Sequence, residues 1–239
     1  MLVTVLGANG PTGRLLTRQL VYRGHEVRAL TRHPDDADLF GVGVTVLGGD
    51  ATQTDDLQRA LKGAEAVVSV LGTPYSREPV SLFSDSARAL ADVMAVLGPR
   101  RLVVTSSALL SPWRDPAMSW LERTVMVPLL EAVGRTVYDD MRRMEAVVAA
   151  SDLEWTVMRP LVLADMDAST RWAVAEDHIP GRHTARRDLA AAIVDQLHRT
   201  DFVRRTAAVA TTNEALSVPA TIWREGIMPT LRQARAARA

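Results

Sequence analysis

The sequence has no cysteine and only one lysine, and each shortage removes a class of chemistry. Without thiols there is no disulfide, no thiolate nucleophile and no thiolate metal ligand. The five histidines are scattered with no ligand-like spacing, so no metal site is expected. Lys62, the only lysine, falls in a turn, and chemistry that needs an ammonium has no other lysine to draw on. No apolar run approaches the roughly 20 residues that cross a bilayer, and Met1 leads straight into a strand with no signal-like segment. No membrane partner is expected, and the expected location is the cytoplasm. Formal net charge is zero and arginines are interspersed with acids, which leaves no basic stripe to neutralise nucleic-acid phosphates.

What is present is a repeating pattern. Leu2–Leu6 is a short apolar, β-branched run ending at a glycine, as in a strand buried on both faces. Leu15, Leu16, Leu20 and Val21 recur at helical spacing, and Gly24 stops that helix. Further strands are predicted at 26–32, 42–47, 66–71, 101–105 and 155–159, with helices at 54–61, 81–97, 138–150 and 187–198 between or after them. A last strand is predicted at 207–211. This alternation predicts an α/β fold: a Rossmann-type, doubly wound parallel sheet with helices on both faces and ligands beyond the strands' carboxyl ends. One dinucleotide-binding domain is expected over residues 1–212. Within it, 111–137 breaks the alternation with Pro112, Trp113, Pro116, Met118, Trp120, Met126 and Pro128, and is read as a lid-like insertion. Residues 164–184 are expected to be irregular apart from a short strand near Trp172. The tail, 213–239, has a docking helix as one option.

Gly7-Ala8-Asn9-Gly10-Pro11-Thr12-Gly13 sets three glycines between a strand and a helix start. Gly7 permits the turn, Gly10 lets the backbone approach a pyrophosphate, and Gly13 lets the helix pack closely on the strand. The helix start offers free N–H groups to the phosphates. Chains that bind NAD usually carry Asp or Glu about 20 residues further on, at the end of the second strand, for the ribose hydroxyls. That place holds Thr31-Arg32 here. A guanidinium there suits a 2′-phosphate, with Arg14 assisting, so the expected cofactor is NADP(H).

Those residues, with Gly49-Asp50, Val70-Leu71-Gly72-Thr73, Val104-Thr105-Ser106-Ser107-Ala108 and Leu153 to Pro160, resemble the atypical short-chain dehydrogenase/reductase group. In particular it is similar to that group's NAD(P)H-binding, NmrA-like proteins and to the biliverdin-IXβ (flavin) reductases, and the resemblance spans roughly residues 2–212. The resemblance implies that Asp50 lies beside the adenine, that Leu71, Gly72 and Thr73 follow the adenosine side, and that Thr105, Ser106 and Ser107 lie near the nicotinamide. Competing readings are a turn carboxylate for Asp50 and strand-end capping for the serines. Catalytic members of the group pair a strand-five Ser or Thr with Tyr-x-x-x-Lys. This sequence has Tyr138-Asp139-Asp140-Met141-Arg142 at that place, so Tyr138, Ser107 and Arg142 are the catalytic candidates. Met141 stands where the reductase branch would have histidine.

Two readings of the tyrosine stand: an acid held by Arg142, or a structural aromatic at a helix start. Trp113, Met118, Trp120 and Met126, with Trp172 and His178, would give a pocket for a flat, apolar acceptor, although a Met-rich aromatic surface also suits a homodimer contact. The expected activity is NADP(H)-dependent hydride transfer to a small cyclic or conjugated acceptor such as a quinone, flavin, enone or ketone. The alternatives are a non-catalytic NADP(H)-binding regulator or redox sensor and, third, an epimerase or dehydratase acting on a nucleotide sugar.

Overall fold

A computed structural model describes residues 1–35, 40–166 and 171–212. Its elements, in chain order, are β1 (Leu2–Leu6), α1 (Pro11–Tyr22), β2 (Glu26–Thr31), β3 (Val44–Gly48), α2 (Thr54–Leu61), β4 (Ala66–Ser69), α3 (Leu82–Leu97), β5 (Arg101–Thr105), α4 (Val127–Val133), α5 (Arg135–Ala150), β6 (Glu154–Pro160), β7 (Val162–Ala164), β8 (Trp172–Glu176), β9 (His183–Ala185), α6 (Arg186–Gln196) and β10 (Arg205–Thr211). The main sheet has eight strands in the order β3-β2-β1-β4-β5-β6-β10-β8, all parallel except β8, which runs antiparallel to β10. A separate pair joins β7 to β9. The crossover from β3 on one flank to β4 on the other places a crevice beyond the carboxyl ends of β1 and β4.

The sheet is covered on both faces. Leu16 and Leu20 of α1 and Leu189 and Ile193 of α6 pack on one side, all with essentially no exposure. Leu57 of α2, Phe83 and Leu90 of α3 and Met144 and Val148 of α5 pack on the other. Truncating any of the large members to alanine would cost about 2–5 kcal/mol. The continuous apolar strands follow from this two-sided burial: Val3, Thr4, Val5 and Leu6 of β1 are all inaccessible, and Thr4 meets its burial by donating to the Ala60 carbonyl at 2.8 Å.

Three expectations need correction. The strand expected near Trp172 is β8, but the region around it expected to be irregular also contains β9 and the end of β7, each only three residues long and too short for period-2 alternation to register. Helix α5 begins at Arg135 rather than Tyr138, because Gly134 separates it from α4. Strand β4 stops at Ser69, so Val70 and Leu71 lie in the loop that follows. The docking helix suggested for 213–239 falls outside the described residues.

Candidate cofactor and acceptor site

The turn between β1 and α1 is built around its glycines. Gly7 has a φ of +78°, and a Cβ there would sit 2.6 Å from the Val70 carbonyl oxygen, so both backbone conformation and the approach to the chain just past β4 demand glycine. At Gly13 a Cβ would lie 2.2 Å from the Gly7 carbonyl oxygen and 2.7 Å from Ala8 Cα, which is how closely α1 is drawn onto the turn. Gly10 differs, because a Cβ there would meet only the Gly7 oxygen, at 3.3 Å. Bareness at Gly10 therefore does little for the protein's own packing and leaves room for a group approaching from outside. Pro11 opens α1 with no side-chain cap, and helix geometry leaves the Thr12 and Gly13 amides without intrahelical acceptors. Such an end accepts an anion. The residues present thus fit a diphosphate.

Around this turn, Asn9 Nδ2 reaches the His33 carbonyl and Arg14 Nε donates to the Asn9 carbonyl at 2.9 Å, which ties the turn to the end of β2. Arg32, exposed just past β2, makes no ion pair among the described residues. Asp50 Oδ1 accepts from both the Thr52 amide and the Thr52 hydroxyl at 2.8 Å, so this carboxylate shapes the turn before α2. Beyond β4 and β5, a cavity of about 400 Å³ opens. Gly72, Thr73, Tyr75, Ser106, Ser107 and Tyr138 border it, and Met118, Met126, Leu130, Leu161 and Leu163 make it mainly apolar. Leu71 instead packs on the core, and Thr105 donates to the Ser69 carbonyl at 3.3 Å.

The two serines separate. Ser107 Oγ accepts from the Leu109 amide at 3.3 Å and so caps a short 3₁₀ turn. Ser106 Oγ is buried with no hydrogen-bond partner, and its residue lines the cavity. A buried hydroxyl without a partner costs about 1–3 kcal/mol and favours a ligand that offers one. The far wall is fastened to the loop between β8 and β9. The Trp113 ring stacks on His178 with centroids 4.7 Å apart, Asp115 Oδ2 accepts from the Gly181 amide at 2.9 Å, and Glu122 Oε1 accepts from Arg182 at 2.9 Å. Glu122 also accepts from the Ser119 amide and hydroxyl, and these bonds, with Arg182 nearby, hold its carboxyl below the usual range. A π-helical turn, Glu122–Met126, leads into α4 and sets Glu122 and Met126 on the cavity side. Two of the aromatics expected in the pocket are not there: Trp120 is 74% exposed, and Trp172 packs against the core from β8.

A family model described as NAD(P)H-binding matches residues 7–200, from the first glycine to beyond α6. The chain belongs to the NAD(P)H-binding family. It is 30% identical over 172 residues to the (4-alkanoyl-5-oxo-2,5-dihydrofuran-3-yl)methyl phosphate reductase of Streptomyces griseus, covering 72% of this chain and 51% of that protein. It is 35% identical over 124 residues to a ceramide reductase of Caulobacter vibrioides, covering 49% of this chain and 37% of that protein. The chain thus spans only about a third to a half of the length of these curated relatives. Among solved structures, a Veillonella parvula short-chain dehydrogenase/reductase in complex with NADP superimposes with a TM-score of 0.72 at 21% identity, covering 87% of this chain and 94% of that one. ChuY, an anaerobillin reductase from Escherichia coli O157:H7, gives 0.71 at 19% identity over 91% of this chain and all of that one. These two likenesses concern the fold.

Compared with the Tyr-x-x-x-Lys pairing that the resemblance to short-chain dehydrogenases/reductases implies, the tyrosine here has a different neighbour. Arg142 does not hold the phenol: it extends to Asp139, at 2.8 Å, on the exposed side of α5, a local i,i+3 pairing that the i,i+4 argument overlooked. Tyr138 is buried, and its hydroxyl lies 2.7 Å from the Tyr75 hydroxyl. Burial, reinforced by Tyr75 and Glu131, raises the Tyr138 pKa well above that of an ordinary phenol. The pair is held by its surroundings. Thr136 donates to the Ser76 carbonyl at 2.7 Å, Asp140 accepts from the Phe83 amide at the start of α3, and Glu145 pairs with Arg159 of β6. Tyr75 is the site residue that the sequence reading missed. The available signal was its place, three residues after Gly72 in the loop that leaves β4.

Proposed function

We propose that this protein is an NADP(H)-dependent reductase that passes hydride to a flat, apolar or conjugated carbonyl acceptor. One observation carries the reading: beyond the carboxyl ends of the strands that follow the glycine turn lies a mainly apolar cavity whose lining includes the unpartnered Ser106 and the paired phenols Tyr75 and Tyr138. The diphosphate would rest on the Thr12 and Gly13 amides, over the bare Gly10. The 2′-phosphate would meet Arg32, a guanidinium without an ion-pair partner among the described residues, and Asp50 would border the adenosine. Bound NADPH would supply a hydride, and the chain would supply the rest. Ser106 would donate to the acceptor's oxygen, the tyrosine pair would furnish a proton, and the wall fixed by Asp115, Glu122 and Trp113 would exclude water. The reductase names of the Streptomyces and Caulobacter relatives support a reductive role.

A second reading, an NADP(H)-binding sensor without turnover, is favoured by the position of Arg142 on Asp139 rather than on the phenol. The two part on one experiment. Purified protein is mixed with NADPH and a panel of quinones, flavins and enones, and the absorbance of the reduced nicotinamide is followed. The reductase consumes NADPH with at least one flat acceptor; tight binding with no consumption across the panel replaces it with the sensor.

A further inference from the structure

Two phenols, Tyr138 and Tyr75, meet in a short contact. Tyr138, in α5, is buried beside Gly134 and Tyr75, and burial keeps its proton in place. Either hydroxyl of the 2.7 Å contact can donate, and the arrangement that leaves the Tyr75 proton for a ligand in the cavity has Tyr138 donating to the Tyr75 oxygen. Tyr75 is only partly buried and borders the cavity directly after Gly72, Thr73 and Pro74. Gly134 makes the pairing possible: a Cβ there would lie 2.4 Å from Tyr138 Cε2 and 2.8 Å from Tyr75 Cε1. Both rings crowd one bare position, at an edge angle of 61°.

We propose that Tyr75 is the catalytic acid that protonates the acceptor, and that Tyr138 is a positioning residue that donates a hydrogen bond to the Tyr75 oxygen. This rests on the reductase reading above. In the step, hydride from the reduced nicotinamide forms the new C–H bond, and the carbonyl π pair moves onto the acceptor oxygen. That oxygen takes the Tyr75 proton. The oxyanion left on Tyr75 is met by the Tyr138 hydroxyl and regains a proton from water at the cavity mouth. A neutral, buried phenol thereby does the holding that an ammonium does in Tyr-x-x-x-Lys members.

The test compares Tyr75→Phe with Tyr138→Phe in the full chain, with menadione as probe acceptor. Tyr75→Phe is expected to lose at least about a hundredfold in kcat with its NADPH affinity intact. Tyr138→Phe is expected to lose about tenfold in kcat with the KM for menadione unmoved, as for a group felt only in the transition state. A readout independent of turnover uses chain labelled with ¹³Cζ-tyrosine and saturated with NADP⁺, and the three tyrosines keep the spectrum simple. Menadione should shift the Tyr75 signal and leave that of Tyr22 in place, and Tyr138→Phe should move the Tyr75 signal before menadione is added. Full turnover by Tyr75→Phe, or a Tyr75 signal indifferent to menadione, overturns the assignment while the reductase reading stands. Wild-type protein that binds NADPH and consumes none removes the reductase reading, and with it the catalytic role of Tyr75.

Discussion

Replacing Gly134 by alanine tests the tyrosine pair without altering any polar group. The backbone there has φ −92° and ψ 9°, which alanine adopts freely, so the effect of the change comes from its methyl group. That methyl would arrive 2.4 Å from Tyr138 Cε2 and 2.8 Å from Tyr75 Cε1, well inside contact distance, and both rings belong to a packed wall. Forcing one carbon into such a place costs about 1–3 kcal/mol. Loss of glycine's unfolded-state freedom returns about 0.4–1 kcal/mol. With overpacking in the middle to upper part of that range, as a 2.4 Å approach implies, the net is a destabilisation of about 1–2.6 kcal/mol, or a fall in Tm of roughly 2–10 °C for a domain of this size. Differential scanning calorimetry on the variant and wild type reads this directly, and menadione turnover should fall with it while NADPH affinity holds. An unchanged or raised Tm with full turnover would show that the two rings do not depend on a bare position between them.

Arg32→Glu should weaken NADPH binding by about 10- to 100-fold, the value of a charge-assisted hydrogen bond, and leave NADH nearly untouched; equal losses in fluorescence titrations would reject the 2′-phosphate assignment. Gly13→Ala, whose methyl would press on the Gly7 and Ala8 backbone, should abolish measurable binding of either nucleotide and lower Tm, whereas binding at wild-type strength would show that the turn relaxes. Glu122 has its carboxyl depressed chiefly by the Ser119 bonds, so its stabilisation is complete above the ordinary value of 4.5 and disappears as pH falls through the depressed one. Tm measured as a function of pH should therefore drop more steeply below about pH 4.5 in wild type than in Glu122→Gln, and parallel curves would remove Glu122 from the fastening of the wall.

Much of the scaffold could be read along the chain because the signals are local. A strand buried on both faces announces itself as in Val3 to Leu6, and the three glycines lie within seven residues of one another. The parallel order of β1 to β6 follows from that alternation. The acceptor side was less legible because its geometry is made by contacts between distant residues. Tyr75 and Tyr138 stand 63 positions apart and meet only because α5 returns over the loop after β4. Gly181 finds Asp115 across 66 positions. Composition placed aromatic residues near the pocket, but it could not show that Trp120 turns outward while Trp113 stacks on His178. Arg142 illustrates a different difficulty: it stands at helical spacing from Tyr138, yet its guanidinium pairs with the Asp139 carboxylate at 2.8 Å.

The account stands on a dinucleotide diphosphate held at the junction of β1 and α1. Calorimetric titration of the wild-type chain with NADPH, and then with NADH, examines that claim with least intervening argument. One NADPH per chain, bound at least about tenfold more tightly than NADH, is the predicted result. Absence of heat with both nucleotides, or a preference for NADH, would contradict it.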